Sequence, residues 1–297
     1  MLDHCLQSIG SQTISASIDV EVVVVDNEAA PNNRALVEGL AARYPFPIHY
    51  VHEPKRGIPK ARNAALEACQ RLGVDWVAFT DDDCWVSSTW LADLLEAAHR
   101  QNADAVYGRR EYVVPEECTW PIFAGHSRFR EGGQAARGGT YNVLFSTRLI
   151  RPTRSAAGMR FDEQLTHGED TDFFHRAARR GARICSGEAV VFETVSKERT
   201  TLRYRAKRAY YVAASRSSFH RRHGGFSRAL LNVSARYLVQ GPVGLCRLVA
   251  STIVWPIDER ASKSLLLKGA ERLMGVAGAT AGLLGLSGNP YHSIDGY

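Results

Sequence analysis

Three carboxylates stand side by side at Asp81, Asp82 and Asp83. Adjacent acids repel one another, so such a run is costly unless a cation or hydrogen-bond donors neutralise it. The run directly follows residues 76–80, an apolar segment typical of a buried strand. Because Mg²⁺ and Mn²⁺ prefer carboxylate, water and phosphate oxygens, the pattern predicts a Mg²⁺ or Mn²⁺ site here. The alternative is a solvated acidic turn that caps the following helix.

A second acidic pair, Glu169 and Asp170, lies at the start of a predicted helix over 169–180. Acids in a first turn are stabilised by unpaired backbone N–H groups and by the helix dipole, so one interpretation is a helix cap. The other is chemical, because a carboxylate placed beside a hydroxyl group can remove its proton as a general base. His167 is a lone loop histidine in the same stretch, and we expect a structural role for it.

Two further polar residues lie near the ends of predicted strands or helices. Asp26 ends the β-branched run 20–25, and Arg62 lies in the stretch 57–63 at the start of a helix. In open α/β sheets ligands bind at the carboxyl ends of the strands, where Asp26 and the acidic run both fall. The alternatives are a strand-end turn for Asp26 and a surface position for Arg62. We expect the neighbouring Asn63 to hold a loop.

Alternating strands and helices would position these residues. Periodicity and β-branched runs predict strands over 20–25, 45–51, 76–80 and 105–108, and helices over 2–12, 33–44, 59–72 and 89–101. A strand at 140–145, the helix at 169–180 and a strand at 189–192 follow. The order indicates an α/β fold with a mixed, mainly parallel sheet and flanking helices. Paired glycines between 132 and 139 predict a lid loop.

The composition bears on partners and compartment. The chain has 297 residues, a formal charge of +6 and a pI of about 9.1, which suits anionic partners such as nucleotide diphosphates and lipid phosphates. It shows no zinc-finger spacing and no aromatic RNA-binding signature, so we expect no nucleic-acid partner. The six cysteines are scattered without a CxxC pair, and no signal peptide is visible, which favours the reducing cytosol.

Residues 201–297 differ in composition from residues 1–200, being basic, apolar and helical in pattern. Basic and aromatic residues alternate over 197–222, and the apolar segments 241–257 and 273–288 are short for a spanning helix of about 20 residues. One interpretation is helices packed on the domain with a solvated basic face. The other is peripheral contact with lipid phosphates or an anionic membrane face. We therefore predict two domains that meet near residue 200.

Six short motifs occur in order, at 22–27, 57–63, 81–83 followed by 90–91, 139–142, 161–163 and 168–172. In these motifs the chain resembles the inverting glycosyltransferases of family 2, which have the GT-A fold, a Rossmann-like fold of nucleotide-diphospho-sugar transferases. The resemblance extends over roughly residues 2–200. It is greatest for bacterial exopolysaccharide enzymes of the succinoglycan glucosyltransferase type.

The resemblance implies a nucleotide-sugar donor, a UDP-sugar, and assigns roles in binding it. Asp26 would accept a hydrogen bond from the uracil ring, and Arg62 would lie near the base or the diphosphate. Asp81 would contact the nucleoside, and Asp83 would bind the Mg²⁺ or Mn²⁺ that bridges the two phosphates. Asp82 belongs to the same donor-binding group and has the least defined role.

The resemblance also implies an inverting, single-displacement hexosyltransferase with Asp170 as general base and Glu169 as an acceptor-binding residue. The acceptor would be a saccharide or a polyprenyl-diphosphate-linked saccharide, used for cell-surface polysaccharide at the inner face of the cell membrane. Many relatives carry a metal-binding histidine where this chain has Glu193. The alternative function is a non-catalytic nucleotide-sugar-binding member of a polysaccharide assembly complex.

The start of the chain departs from the family pattern. Family members usually begin with a central strand that lines the nucleotide pocket, whereas this chain begins at the helix that would follow it, 2–12. A sheet without a central strand exposes unpaired backbone and loses core packing. We therefore expect the natural start to lie upstream, with the first strand missing here.

Overall fold

The computed structural model describes residues 1–114, 116, 118, 120, 139–153, 157–165 and 168–286. The chain forms two compact units, Met1–Val113 with His126–Thr194, and Val114–Gly125 with Val195–Tyr297. The functional division near residue 200 stays a prediction. His167 and the glycines at 132, 133 and 138 lie outside the described residues, so the lid loop stays a prediction as well.

The first unit alternates strands and helices as predicted over its first hundred residues. Its helices are α1 (Leu2–Gly10), α2 (Arg34–Ala41), α3 (Ile58–Leu72), α4 (Trp90–Arg100) and α5 (Glu169–Arg179). Its strands are β1 (Val22–Asp26), β2 (Ile48–His52), β3 (Trp76–Thr80), β4 (Cys84–Val86), β5 (Ala105–Val113), β6 (Asn142–Ser146) and β7 (Ile184–Thr194). The short strand β4 was not predicted, and β5 and β7 are longer than predicted.

The strands form two sheets. β1 and β2 form a parallel pair, and the other five strands form a sheet in the order β3-β6-β5-β7-β4. In this larger sheet β5 and β7 run parallel, whereas β3–β6, β5–β6 and β4–β7 are antiparallel. The predicted mixed sheet is confirmed, and the described strands form two parallel and three antiparallel pairs. β4 follows β3 after a short turn but lies at the opposite end of this sheet, where it runs antiparallel to β7.

Strands β1 and β3 each have one unpaired edge. Among the described strands, β1 is hydrogen-bonded only to β2, and β3 only to β6. Helix α3 packs on β1 and also places Leu66 against Val77 of β3, so one helix covers both sheets. At the end of β3 the buried Thr80 Oγ1 has no hydrogen-bond partner among the described residues.

The core lies on both faces of β6, the most buried strand of the larger sheet. Val143 and Phe145 face one side, where they pack with Phe173 of α5. Leu144 faces the other side and packs with Leu94 of α4. A strand buried on both faces reads as a continuous apolar run, as this one does. The two helix layers hold the strand ends that carry the polar residues of the site.

The second unit is helical. It contains a 3₁₀ turn at Lys197–Thr200, α6 (Leu202–Ala235), a π-helical turn at Arg236–Gln240, α7 (Gly241–Val254) and α8 (Glu259–Leu284). Helix α6 bends at Gly225, whose φ of 76° is readily adopted only by glycine. Gly278 and Gly282 of α8 lie directly against the backbone of α6, where a Cβ would collide. Small residues thus let these two helices approach closely.

One helical stretch of this unit, Leu202–Val254, is long and apolar enough to cross a membrane, as judged by length and composition alone. Only 11% of its apolar window is buried. The sequence analysis treated 241–257 as a separate short segment, whereas in the structure the part of α6 after its bend at Gly225, the π-helical turn and α7 follow one another without a break.

Candidate active site

The acidic run forms the turn between β3 and β4. β3 ends at Thr80 and β4 begins at Cys84, so Asp81, Asp82 and Asp83 are the whole connection. Carboxylate oxygens of Asp81 and Asp83 and the Cys84 Sγ lie within 4.8 Å of one another. A short, tight connection is what brings the two carboxylates together.

The protein surroundings make ionisation of Asp81 and Asp82 less favourable. Desolvation by the surrounding protein raises the pKa of Asp81 to about 6, although its side chain is accessible to solvent. The charge of Arg62 lowers this pKa, and that of Asp83 raises it. Burial, followed by repulsion from Asp83, also raises the pKa of Asp82. Desolvation and the charge of Asp83 thus disfavour the ionised forms of Asp81 and Asp82, and a divalent cation bound here would favour them.

Asp81 and Asp83 are the members of this cluster that fit a Mg²⁺ or Mn²⁺ ion. Both offer hard carboxylate oxygens, the ligands these ions prefer. Burial, followed by the charge of Asp81, raises the pKa of the Cys84 thiol, so this sulfur stays protonated and donates to Asp83 Oδ1 at 3.6 Å. A protonated thiol is a poor ligand for a hard cation. Metal binding by Asp83 stays a prediction, as does the nucleoside contact of Asp81, and the cluster makes Asp81 a second candidate ligand.

Helix α1 supports the acidic turn from outside the sheet. The Cys5 thiol approaches the carbonyl oxygen of Asp81 at 3.8 Å, and Ser8 Oγ accepts a hydrogen bond of 3.0 Å from the Val86 amide. These contacts fix the backbone on both sides of the run.

Arg62 lies between the acidic run and the acids of α5. It forms an ion pair with Glu169, and its guanidinium lies 5.6 Å from the Phe161 ring centroid. Its charge contributes to lowering the pKa of both Asp81 and Asp170. The surface-arginine alternative does not describe this side chain, which is only 16% exposed. The two predicted halves of the site therefore share one cation.

A network of asparagines fixes the loops around Arg62. Asn27 donates to the carbonyls of Glu53 and Lys55 at 2.7 and 3.0 Å and accepts from the Gly57 amide at 2.8 Å, which fixes the turn before α3. Asn63 donates to the Phe161 carbonyl at 3.0 Å and accepts from the Phe161 amide at 2.8 Å. Asn63 thus holds a loop, as predicted.

Asp170 lies in the first turn of α5 but does not cap it. The capping position is Gly168, with φ of 69°. Asp170 Oδ1 accepts a hydrogen bond from its neighbour Thr171 at 2.6 Å. Burial and then the charge of Glu169 raise the pKa of Asp170, against an opposing effect of Arg62. A more basic carboxylate is better suited to accept a proton.

Glu169 and the following acid Asp172 are both held by arginines. The Glu169 side chain is 9% exposed, and its carboxylate is bound by Arg62. Asp172 is buried and pairs with Arg176 at 2.7 Å on the same helix. Acceptor binding by Glu169 stays a prediction, and it requires an acceptor hydroxyl to share this carboxylate with Arg62.

Asp26 is buried at the end of β1, and four donors surround its carboxylate. Tyr50 donates from its hydroxyl at 2.8 Å, Asn33 from its backbone and side-chain nitrogens at 3.2 Å each, and Glu28 from its backbone at 3.2 Å. Burial raises the pKa of Asp26, but these hydrogen bonds, that of Tyr50 foremost, lower it by more, so the net pKa lies below its ordinary value. The predicted bond from a uracil ring would have to replace one of these donors.

Arg110 is a polar residue of the site that the sequence did not reveal. It forms an ion pair of 2.7 Å with Glu193, and its guanidinium lies 3.9 Å from the Tyr141 ring centroid and 4.7 Å from that of Tyr112. Its charge contributes to lowering the pKa of Asp81. No local motif marks it, and the predicted end of β5 at residue 108 left it outside the strand. Metal binding by Glu193 stays a prediction. In this structure its carboxylate forms an ion pair with Arg110.

The chain matches one family and several known proteins. The family described as "Glycosyl transferase family 2" matches residues 1–153. The chain is 34% identical to the succinoglycan biosynthesis protein ExoM of Rhizobium meliloti (strain 1021), over 96% of this chain and 89% of that protein. It is 25% identical to the uncharacterized glycosyltransferase EpsJ of Bacillus subtilis (strain 168), over 62% of this chain and 54% of that protein.

Solved structures of S. aureus TarS share the fold. Residues 1–349 of TarS in complex with UDP give a TM-score of 0.51 at 17% identity, over 100% of this chain and 88% of that one. The complex of the same residues with UDP-GlcNAc gives 0.50 at 16% identity, over 98% and 87%. This chain spans about half of a longer TarS structure, 52% of its length. At these identities the likeness shows the GT-A-like fold alone.

Proposed function

This chain belongs to glycosyl transferase family 2, and we propose that it transfers a sugar from a UDP-sugar to an acceptor hydroxyl with inversion at the anomeric carbon. The acceptor would be a saccharide or a polyprenyl-diphosphate-linked saccharide in exopolysaccharide synthesis. Two findings support this choice. The relative ExoM is described as a succinoglycan biosynthesis protein, and TarS, which shares the fold, binds UDP and UDP-GlcNAc.

One observation carries the proposal: Arg62 interacts with both the acidic run and the acids of α5. In a single displacement, a nucleophile is deprotonated as a diphosphate leaves, so a base and an anion site must lie close together. Arg62 offers the cation beside which a diphosphate would lie. The same residue tunes Asp170, the proposed base.

The donor side is assigned to the acidic run. Asp81 and Asp83 would hold Mg²⁺ or Mn²⁺, Asp82 would border the donor, and Asp26 would shape the base pocket. When bound, such an ion offsets negative charge on the diphosphate. Arg62 and the ion together would orient the leaving group relative to α5.

The acceptor side is assigned to Asp170 and Glu169. Asp170 Oδ1 accepts a hydrogen bond from the Thr171 amide, and Oδ2 would be the oxygen that meets the acceptor. Gly139 lies beside that oxygen, and a Cβ there would come within 3.4 Å of Oδ2. The glycine thus keeps room for a hydroxyl group. The proton would pass from this hydroxyl to Asp170 Oδ2, while Glu169 and Arg62 orient the acceptor.

We further propose that the first unit carries the reaction and the helical second unit attaches the enzyme to the cytoplasmic face of the cell membrane. The exposed apolar stretch Leu202–Val254 and the basic character of residues 197–222 support this location. The contact would be peripheral and would favour anionic lipids.

The test is transfer by the purified protein from an α-linked UDP-sugar to a saccharide acceptor, with Mn²⁺ present. The proposal predicts a β-linked product, identified by the proton coupling constant of its anomeric signal. An α-linked product would refute the inverting mechanism. The measurement requires no variant and therefore does not depend on the residue assignments.

The alternative is a non-catalytic nucleotide-sugar-binding subunit. The four hydrogen bonds that the Asp26 carboxylate accepts from protein donors favour this alternative, since a nucleobase would have to displace one of them. Such a protein would bind UDP without turning over any UDP-sugar. Turnover that is lost in Asp170→Asn would rule the alternative out.

A further inference from the structure

The helical unit contains a cavity that the sugar-transfer reaction does not use. It has a volume of about 350 Å³ and is bordered by α6, the π-helical turn, α7 and α8. This size lies within the range of small-ligand sites, roughly 300–1,000 Å³. Its charged lining residues are five cations and one acid: Arg216, Arg236, Arg247, Lys268, Arg272 and Glu271.

The single acid does not neutralise the cations of the cavity. Glu271 Oε1 is bound by Arg205, which lies outside the lining, at 2.9 Å from Nε and 2.6 Å from a terminal nitrogen. The hydrogen bond of Arg236 Nε goes to a neutral partner, Asn232, at 3.2 Å. Burial lowers the pKa of Arg236, so burying its positive charge costs free energy.

Several cations of the cavity lack an acidic partner. In the part of the chain that the structure describes, no carboxylate forms an ion pair with Arg236, Arg247, Lys268 or Arg272. Like charges that converge on one cavity repel each other unless an anion is bound. Four of the five cations are arginines, whose planar donor groups match phosphate oxygens. The cavity therefore has the chemistry of a phosphate site.

The same helices also carry an exposed apolar surface. Leu231 of α6, Leu238 of the π-helical turn and Ile253 of α7 are 72%, 78% and 66% exposed. Ile257, just after α7, is 84% exposed. Several strongly exposed large apolar side chains on one unit are a feature of membrane or protein contacts. A ligand that combines a phosphate with hydrocarbon would satisfy both features.

We propose that the cavity binds the phosphate group of an anionic lipid while the exposed apolar side chains enter the same membrane leaflet. The shared chemistry is a phosphate ester anion, which a lipid headgroup or a free phosphate compound could supply. The apolar surface favours the lipid. The inference needs only the helical unit and does not rest on the proposed sugar transfer.

The test is vesicle sedimentation of the full chain with phosphatidylcholine alone and with phosphatidylcholine containing phosphatidylglycerol. The cavity variant is Arg236→Gln with Arg272→Gln. The matched control is Arg228→Gln with Arg260→Gln, which removes two exposed charges of α6 and α8 outside both the cavity and residues 197–222. We expect the cavity variant to lose affinity for anionic vesicles by about tenfold or more, and the control by about threefold at most.

Two results would overturn the proposal. One is an equal loss in the cavity and control variants, which would reduce the effect to general surface charge. The other is tight binding of inorganic diphosphate to the wild type, measured by calorimetry, without preference for anionic vesicles. Circular dichroism establishes that both variants are folded. Sugar transfer measured without vesicles in the same samples reports on the proposed function alone.

Discussion

Arg62 of α3 forms an ion pair with Glu169, the first residue of α5, across 107 positions of the chain. Their side chains are 16% and 9% exposed. Through this pair, the helix that follows β2 and the helix that carries Asp170 are held in one arrangement. The charge of Arg62 also reaches Asp81, so the pair couples the proposed donor and acceptor sides.

Substitutions that break this ion pair should affect stability and donor binding through two independent effects. Arg62→Met leaves the buried Glu169 without its partner, at an expected cost of about 3–5 kcal/mol in the free energy of unfolding. Arg62→Met combined with Glu169→Leu removes both charges and should recover most of that loss. Urea denaturation measures the stability of both variants.

Donor binding should not recover in that double variant. If Arg62 contacts the diphosphate, calorimetry with UDP and Mn²⁺ should show weak binding for the single and the double variant alike. Binding of wild-type strength by the folded double variant would show that Arg62 acts only as a structural residue.

Asp83→Asn should remove the metal-dependent part of UDP binding. The amide loses the negative charge that a divalent cation requires, and we expect UDP affinity in Mn²⁺ to fall by about tenfold or more, ~1.4 kcal/mol. Affinity in a chelator should be unchanged. The matched control is Glu96→Gln, an exposed acid on α4. An equal response to Mn²⁺ in Asp83→Asn and wild type would refute the assignment of the metal site.

The pKa of Asp81 predicts how stability depends on pH without metal. Because desolvation by the surrounding protein raises this pKa from 3.8 to about 6, the folded state holds the proton more tightly than the unfolded chain does. The stabilising contribution of Asp81 is therefore fully present below about 3.8 and is lost as the pH rises through about 6.

Asp81→Asn tests this dependence, since the amide mimics the protonated acid. In a chelator, the variant should match wild type near pH 4 and should exceed its free energy of unfolding above pH 6. The control is Asp19→Asn, an exposed acid outside the site. The prediction fails if the difference between Asp81→Asn and wild type is the same at both ends of the pH range.

Gly139→Ala should impair the acceptor side more than the donor side. A Cβ at this position would collide with the Tyr141 ring and come within 3.4 Å of Asp170 Oδ2. We expect kcat or the acceptor KM to worsen while UDP affinity remains. Gly39→Ala on α2, where a Cβ meets nothing within 4 Å, is the control and should raise stability by up to ~1 kcal/mol. Equal transfer rates in Gly139→Ala and wild type would contradict the account.

The order of strands and helices could be predicted because β-branched runs and helical periodicity are local signals. The strand over 76–80 and the acidic turn after it needed no tertiary information. β4 could not be predicted in the same way, since its three residues are too few to show a period. Strand direction after β5 depends on pairing, which the local pattern does not encode.

The individual acids were predictable, but their partners were not. Asp26, Asp81, Asp83 and Asp170 stand out by residue type and by position at strand ends or helix starts. The contacts of Arg62 with Glu169 and of Arg110 with Glu193 span 107 and 83 positions. Only the fold brings such residues together. The sequence therefore identifies candidate acids of the site but not the arginines that pair with them.

The assignment of Asp170 as general base is the central claim, and its most direct test is the transfer rate of Asp170→Asn. UDP affinity is measured in the same sample. The account predicts a loss in kcat of about 10²–10⁴-fold with UDP binding retained, because the amide keeps the shape but cannot accept the proton. A kcat within a few-fold of wild type, with the same UDP affinity, would contradict it.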